Sequence, residues 1–118
     1  MTTIPPKRLH AGIYNVRFWM DTTESSWLKT IFDRILSEVG FRVLHFKEQH
    51  FPVRGYTAFW LLAESHLAVH TFPDDKWSYV ELSSCNKLKS ALFQEQVERL
   101  ENVTVTQKEV RNSFPSPE

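Results

Sequence analysis

The chain has one cysteine, no excess of either charge and no long apolar run, and each of these features excludes a class of protein. Because Cys85 is the single cysteine among 118 residues, an intrachain disulfide is impossible and a reducing, cytoplasmic setting is expected. Lys and Arg number 14 and Asp and Glu number 14, so neither nucleic acid nor an anionic membrane is expected as a partner. No apolar run reaches the length of a membrane span, and Pro5 and Pro6 interrupt the stretch where a signal peptide would have its apolar region.

The composition that is present favours one folded domain. Hydrophobic residues make up 42% of the chain and aromatic residues 14%, which is enough for a packed core. A small neutral domain also has little charge repulsion to oppose self-association, so a dimer is compatible with the composition.

Residue periodicity predicts the element order β-α-β-β-β-β-α-β. The apolar spacing from Trp27 to Val39 predicts a helix, with a capping box at Asp21 to Glu24 before it and Gly40 as its C-cap. Strands are predicted at 13–20, 41–46, 57–63, 65–72, 77–84 and 103–110, with a loop at 49–55 and a second helix at 87–100. Two helices and one largely antiparallel sheet predict an α+β two-layer sandwich with both helices on one face of the sheet.

The strand alternation gives the other face of the sheet a polar, reactive character. His66 and His70 share one face of their predicted strand, and Glu81 and Cys85 share one face of the next. If the helices cover the opposite face, these four side chains lie on an open face, which indicates a functional site or a subunit contact.

The most informative segment runs from Leu62 to Pro73. It contains Glu-Ser-His at 64–66, then His-Thr-Phe-Pro at 70–73, and Cys85 follows at the end of the next predicted strand. These residues resemble the S-adenosylmethionine decarboxylase family in its short prokaryotic form. That family's pattern is an apolar strand, Glu-Ser-His, three residues, His-Thr, an aromatic, Pro and an acid, followed by a cysteine after one more strand. The similarity is close over 51–85, extends in position to the first helix and Gly40, and holds only in outline elsewhere.

The resemblance implies a self-processing pyruvoyl enzyme. The Ser65 hydroxyl would attack the carbonyl carbon of Glu64, and the domain would be cut into residues 1–64 (the β chain) and 65–118 (the α chain). Ser65 would then become a pyruvoyl group, which would form a Schiff base with the substrate amine and accept electrons as carbon dioxide leaves. The resemblance implies no metal and no separate organic cofactor.

The resemblance also implies roles for individual residues. His70 matches the family's processing base, and Thr57 stands where the family usually has a serine that assists processing. Cys85 matches the proton donor to the decarboxylated substrate, because a thiol is mostly protonated at neutral pH. Phe51 and Phe72 match the two aromatics that stack the substrate's adenine, the second being commonly Trp.

Other departures from the pattern concern the substrate. Asp74 replaces the usual Glu after Pro73, and Asn86 replaces the usual Gly after the cysteine. The N-terminal strand has Val16, with Arg17 beside it, where the family generally carries a carboxylate.

The first choice of substrate is S-adenosylmethionine. The alternative is L-ornithine or L-arginine, whose distal cation could be bound by Asp74, Asp75 or Glu81. The resemblance implies a homodimer of processed αβ units.

Two interpretations from other classes remain open at this point. One is an unprocessed, non-catalytic homologue that keeps the fold and acts through a partner. The other is a zinc site built on His66, His70 and Cys85, for which the sequence singles out no further ligand, since His45 and His50 lie in a different segment.

Overall fold

The computed structural model describes residues 12–107, which form a six-stranded antiparallel sheet and two helices. The elements are β1 Tyr14–Met20, α1 Ser25–Val39, β2 Val43–His50, β3 Tyr56–Leu62, β4 Ser65–Phe72, β5 Trp77–Ser84, α2 Lys87–Glu98 and β6 Val105–Thr106. The strand order across the sheet is β2-β3-β4-β5-β1-β6, and every neighbouring pair is antiparallel. The predicted α+β two-layer sandwich is confirmed.

The hydrophobic core lies between one face of the sheet and both helices. Trp60 of β3 and Leu67 of β4 are fully buried there, as are Phe32 of α1 and Phe93 of α2. The Phe32 ring meets the Trp60 ring edge-on at 6.1 Å and stacks on the Phe93 ring at 6.0 Å. Burial of each such side chain stabilises the fold by about 1.5–3 kcal/mol, so the two helices are held on the same face.

The start of α1 differs from the prediction, while its end agrees. Glu24 is itself the N-cap, and its carboxylate accepts the Trp27 amide at 3.2 Å. The predicted capping box at Asp21 was wrong, because the Asp21 carboxylate instead accepts the Thr104 amide at 2.7 Å, next to β6. Gly40 ends the helix with φ 100°, a left-handed conformation that favours glycine.

Two strand predictions also needed correction. β2 begins at Val43 and continues to His50, so part of the predicted loop at 49–55 is strand. As an edge strand with both faces largely exposed, β2 has no apolar alternation to announce it. β6 covers two residues of the predicted strand at 103–110, and residues 108–110 lie outside the described part of the chain.

The second face of the sheet is covered by neither α1 nor α2. We call it the open face. Its side chains include Phe59 and Leu61, which are 37% and 43% exposed, and Phe72, which is 37% exposed. The strand registers add further members of this face: Asn15, Arg17, Trp19, Thr57, His66, Ala68, His70, Trp77, Tyr79, Glu81 and Ser83. The predicted placement of His66, His70 and Glu81 on one face is therefore confirmed.

Candidate active site

The Glu64–Ser65 peptide lies in the tight turn between β3 and β4. Ala63 and Glu64 form this turn, and the Leu62–Ser65 pair closes it. Glu64 has φ 64°, a left-handed conformation that costs a non-glycine residue about 1–2 kcal/mol. The Ala63 amide donates to the Arg42 carbonyl at 2.9 Å, which holds the turn against the residue that precedes β2.

Side chains from the end of β5 meet this peptide, because the antiparallel register places Ser84 opposite Ser65. The Cys85 thiol donates to the Glu64 carbonyl oxygen at 3.6 Å. The Ser65 hydroxyl donates to Ser84 Oγ at 2.9 Å, and the Asn86 amide donates to the same oxygen at 3.0 Å. A hydroxyl therefore adjoins a carbonyl that already accepts a hydrogen bond, the arrangement that acyl transfer to a serine oxygen requires.

Ser84 is a residue of this site that the sequence reasoning missed. Its hydroxyl holds that of Ser65, and the residue is only 2% exposed. The signal was its position in an alternating buried series with Val80 and Leu82, where a serine needs a polar partner.

Two cavities meet at the Glu64–Ser65 peptide. The first, of about 330 Å³, includes His66 and Ser83 of the open face in its lining. The second, of about 280 Å³, lies toward the helices, and we call it the basic cavity because Arg42 and Lys89 line it. Glu64, Ser65 and Cys85 line both, so the peptide is accessible from two sides.

His70 and Thr57 lie together, but away from Ser65. They are cross-strand partners on the open face, with 3.2 Å between Thr57 Oγ1 and His70 Nδ1. Five residues of extended strand separate His70 from Ser65, which corresponds to about 17 Å. Within one chain, the predicted base is therefore out of reach of the predicted nucleophile.

The predicted aromatic pair lies at the same far end of the sheet as His70. Phe51 and Phe72 line a cavity of about 230 Å³ with Asp74 and Asp75. The Asp74 carboxylate lies 3.3 Å from the Arg54 guanidinium. Phe72 is seven residues along β4 from Ser65, about 23 Å away. The structure brings this group together but does not join it to Ser65 in one protomer.

Glu81 lies in the middle of the open face beside a cation. Arg17 of β1 is its cross-strand partner, and Tyr79 donates its hydroxyl to Glu81 at 3.3 Å. Burial raises the pKa of Tyr79, the Glu81 charge raises it further, and Arg17 lowers it. Val16, by contrast, points into the core and is 6% exposed, so Arg17 is the residue of this pair that belongs to the open face.

The described part of the chain offers neither a cluster of metal ligands nor a membrane-spanning helix. Among residues 12–107, no three or more His, Cys, Asp or Glu side chains are grouped so that they could hold one metal ion. Over the same residues, no helix is both long and apolar enough to cross a membrane.

Comparisons with known proteins point to one family. The family model for S-adenosylmethionine decarboxylase matches residues 14–113. Over 62 residues the chain is 31% identical to the S-adenosylmethionine decarboxylase proenzyme of Prochlorococcus marinus (strain MIT 9313), covering 52% of this chain and 50% of that protein. The chain thus spans about half the length of that relative. With the proenzyme of strain MIT 9211 it shares 26% identity over 94 residues, 78% of this chain and 77% of the relative.

A solved structure supports the fold. The adenosylmethionine decarboxylase from Aquifex aeolicus superimposes with a TM-score of 0.59 at 12% identity, over 78% of this chain and 86% of that one. Since the family model covers most of the chain, from β1 past the last described residue, the chain belongs to the S-adenosylmethionine decarboxylase family.

Proposed function

We propose that the chain is a proenzyme that cuts itself between Glu64 and Ser65 and becomes a pyruvoyl-dependent decarboxylase of polyamine biosynthesis. The products would be residues 1–64, the β chain, and 65–118, the α chain. The observation that carries this proposal is the hydrogen bond from the Cys85 thiol to the carbonyl oxygen of Glu64. The next residue, Ser65, supplies the hydroxyl that would attack this carbonyl. The single cysteine supports a cytoplasmic setting.

The cleavage follows from groups at the turn. The Ser65 oxygen adds to the Glu64 carbonyl carbon while the Cys85 thiol donates to the carbonyl oxygen that becomes negative. The bond to the Ser65 nitrogen then breaks, and the proton lost by the Ser65 hydroxyl passes to this nitrogen. The products are an ester and a free amine, and the left-handed strain at Glu64 is released.

Elimination completes the processing. A base removes the Ser65 α-proton, and the ester oxygen departs with Glu64, whose new C-terminus is a carboxylate. The dehydroalanine that remains takes up water and releases ammonia, which converts residue 65 into the pyruvoyl group.

The residues around position 65 fit this group. The pyruvoyl group supplies an electron sink for decarboxylation of a substrate that carries an amine and a carboxylate. Cys85, exposed at the rim of both cavities, would donate the proton that replaces carbon dioxide. His66 and Ser83 would form the wall of the substrate cavity on the open-face side.

The processing base would come from a second copy of the chain. His70 lies about 17 Å from Ser65 in its own strand, too far for proton transfer. In the proposed dimer two protomers pack their sheets face to face, about 10 Å apart, around a two-fold axis perpendicular to the strands. The strands of one protomer then run opposite to those of its partner. The Ser65 end of β4 in one protomer would therefore lie over the His70 end of β4 in the other.

The open face supports this homodimer. Phe59 and Leu61 of β3 are exposed there. Toward the other side of the sheet, Trp19 of β1 contacts Phe72 at 5.9 Å and Tyr79 at 5.1 Å between ring centroids. An apolar patch of this kind on one side of a sheet marks a protein–protein contact. The same arrangement would carry the partner's Phe51, the partner's Phe72 and the partner's Asp74 to the cavity at Ser65.

The proposed substrate is S-adenosylmethionine, because Phe51 and Phe72 line one cavity and could stack an adenine ring there. One observation favours the second candidate, L-ornithine or L-arginine. On the open face of β1 the chain has Arg17 rather than a carboxylate, and this cation faces Glu81. A site with that charge is less suited to a sulfonium at the same position. Asp75 lines the far cavity and could bind a distal cation there, and Asp74 could do so in exchange for its contact with Arg54.

Release of carbon dioxide from carboxyl-labelled substrates tests this proposal. The processed protein should release labelled carbon dioxide from S-adenosylmethionine and should act far more slowly on ornithine and arginine. Release from ornithine or arginine alone would select the second candidate. Release from none of the three by fully cleaved protein would contradict the proposed activity.

Ser84 provides a prediction about the cleavage rate. In Ser84→Ala the Ser65 hydroxyl loses the oxygen that orients it, and we expect cleavage about tenfold slower, in line with the loss of one hydrogen bond. The measurement is the conversion of freshly synthesised precursor, followed by gel electrophoresis. Ser83→Ala is the matched control for this cleavage assay, since Ser83 faces the other side of the same strand and the Ser65 hydroxyl donates to Ser84 instead. Cleavage of Ser84→Ala at the wild-type rate would show that Ser84 does not assist it.

A further inference from the structure

We propose that the basic cavity is a docking site for the C-terminal carboxylate that cleavage creates on Glu64. This inference rests on the proposed self-cleavage and concerns the fate of the new terminus once the chain is cut. Arg42 and Lys89 would bind the new terminus of the β chain on the helix side of the sheet. The substrate could then enter from the open-face side without competition from that carboxylate.

The cavity already contains the residue that would dock. Ala63 and Glu64 form part of its lining, together with Arg42 and Lys89. The Ala63 amide is held by the Arg42 carbonyl at 2.9 Å, a bond that does not involve the scissile peptide. After cleavage this bond keeps residue 63 in place, so the new carboxylate stays within one residue of the Arg42 backbone.

Lys89 is held in position at the basic cavity, and neither of the cavity's two cations is neutralised by a carboxylate of the described residues. The Lys89 ammonium donates a hydrogen bond to the Gly40 carbonyl at 2.8 Å and lies 5.6 Å from the centre of the Phe41 ring. An ammonium has three donor hydrogens, so two remain for a ligand. Within residues 12–107 neither Arg42 nor Lys89 forms an ion pair with a carboxylate.

The charge balance changes when the chain is cut. Before cleavage Glu64 carries one carboxylate, which lies 3.8 Å from the Cys85 thiol. Afterwards the same residue carries two, its side chain and its α-carboxylate, and two cations are available in the cavity beside it. Charge-assisted hydrogen bonds to a carboxylate are the stronger kind, so the match favours the docked terminus.

Freedom of the backbone supports the same outcome. Glu64 is held at φ 64° only while it is joined to Ser65 in the turn. Once the bond is cut, residue 64 can relax to an ordinary conformation and turn its carboxylate away from Ser65. The basic cavity is the neighbouring space in which that carboxylate meets positive charge.

Susceptibility of the terminus to a carboxypeptidase tests the docking. Wild-type protein and Arg42→Ala/Lys89→Ala are first checked by intact mass for cleavage and then incubated with carboxypeptidase Y under native conditions. Loss of Glu64 from the β chain is followed by mass. We expect removal about tenfold faster in the double variant, because the terminus loses its charge-assisted bonds. Arg34→Ala/Lys87→Ala is the matched control: it removes the same charges from positions outside the cavity and should behave as wild type.

The outcomes separate this inference from the proposed function. Equal rates of Glu64 removal in wild type and in the double variant would contradict the docking while leaving the self-cleavage intact. A double variant that remains uncut would also contradict it, since a docking role begins only after cleavage. If the wild-type chain itself is never cut, the intact mass shows this before any protease is added, and both proposals fall.

Discussion

Ser65→Ala should remain a single chain of about the encoded 13.9 kDa and should release no carbon dioxide from any substrate. Without the hydroxyl there is no oxygen to attack the Glu64 carbonyl, and without cleavage no pyruvoyl group forms. The loss should be complete on both counts, because no other hydroxyl directly follows that carbonyl. The measurements are intact mass under denaturing conditions and the carbon dioxide assay.

Ser65→Thr is the control for this variant. Threonine keeps both the hydroxyl and the α-proton, so the precursor should still be cut, though more slowly because the β-branched side chain is stiffer at χ1. Cleavage of Ser65→Ala after Glu64 would show that Ser65 is not the nucleophile. An uncut Ser65→Ala that keeps full function would favour the non-catalytic homologue.

His70→Ala should also fail to complete processing when expressed alone, but it should be rescued by a second inactive chain. In the proposed dimer, a heterodimer with Ser65→Ala would bring the intact Ser65 of one protomer opposite the intact His70 of the other. Co-expression at equal amounts should therefore yield cleavage of about half of the His70→Ala chains, the fraction that random pairing places in heterodimers. Mass spectrometry of the mixture distinguishes the chains, because each variant has its own mass.

The rescue discriminates between two positions of the base. If His70 served Ser65 of its own chain, neither variant would supply a complete site and the mixture would stay uncut. The same result would be expected if the protein were a monomer. The same experiment can be done with Thr57→Ala in place of His70→Ala, since Thr57 contacts His70. If the two residues act together, Ser65→Ala should rescue cleavage of the Thr57→Ala chain in the same way.

The fold could be predicted from the sequence because its central elements bury one face. The stripe from Trp27 to Val39 and the alternation in β4 and β5 are direct consequences of that burial. The edge strand β2 has no buried face of its own, so its continuation to His50 was missed. The cap of α1 was misassigned because Asp21 makes its hydrogen bond to Thr104, 83 residues away, which no local pattern contains.

The candidate site was only partly predictable for a similar reason. Ser65 and His70 are close in sequence, but an extended strand places them far apart. The proposal that a second protomer supplies the base follows from this distance. Ser84 enters the site through the pairing of β4 with β5. On β1, the sequence comparison placed Val16 where the family has its carboxylate, but Val16 is buried and the next residue, Arg17, lies on the open face. A shift of one residue in the alignment of a strand therefore decides whether a neutral or a charged side chain reaches the open face.

The intact mass of the purified wild-type protein under denaturing conditions tests the self-cleavage most directly. We expect two chains that separate after Glu64, with the C-terminal chain beginning in a pyruvoyl group instead of a serine. A single uncut chain, stable under conditions in which the protein is folded, would contradict the proposed processing and the activity that depends on it.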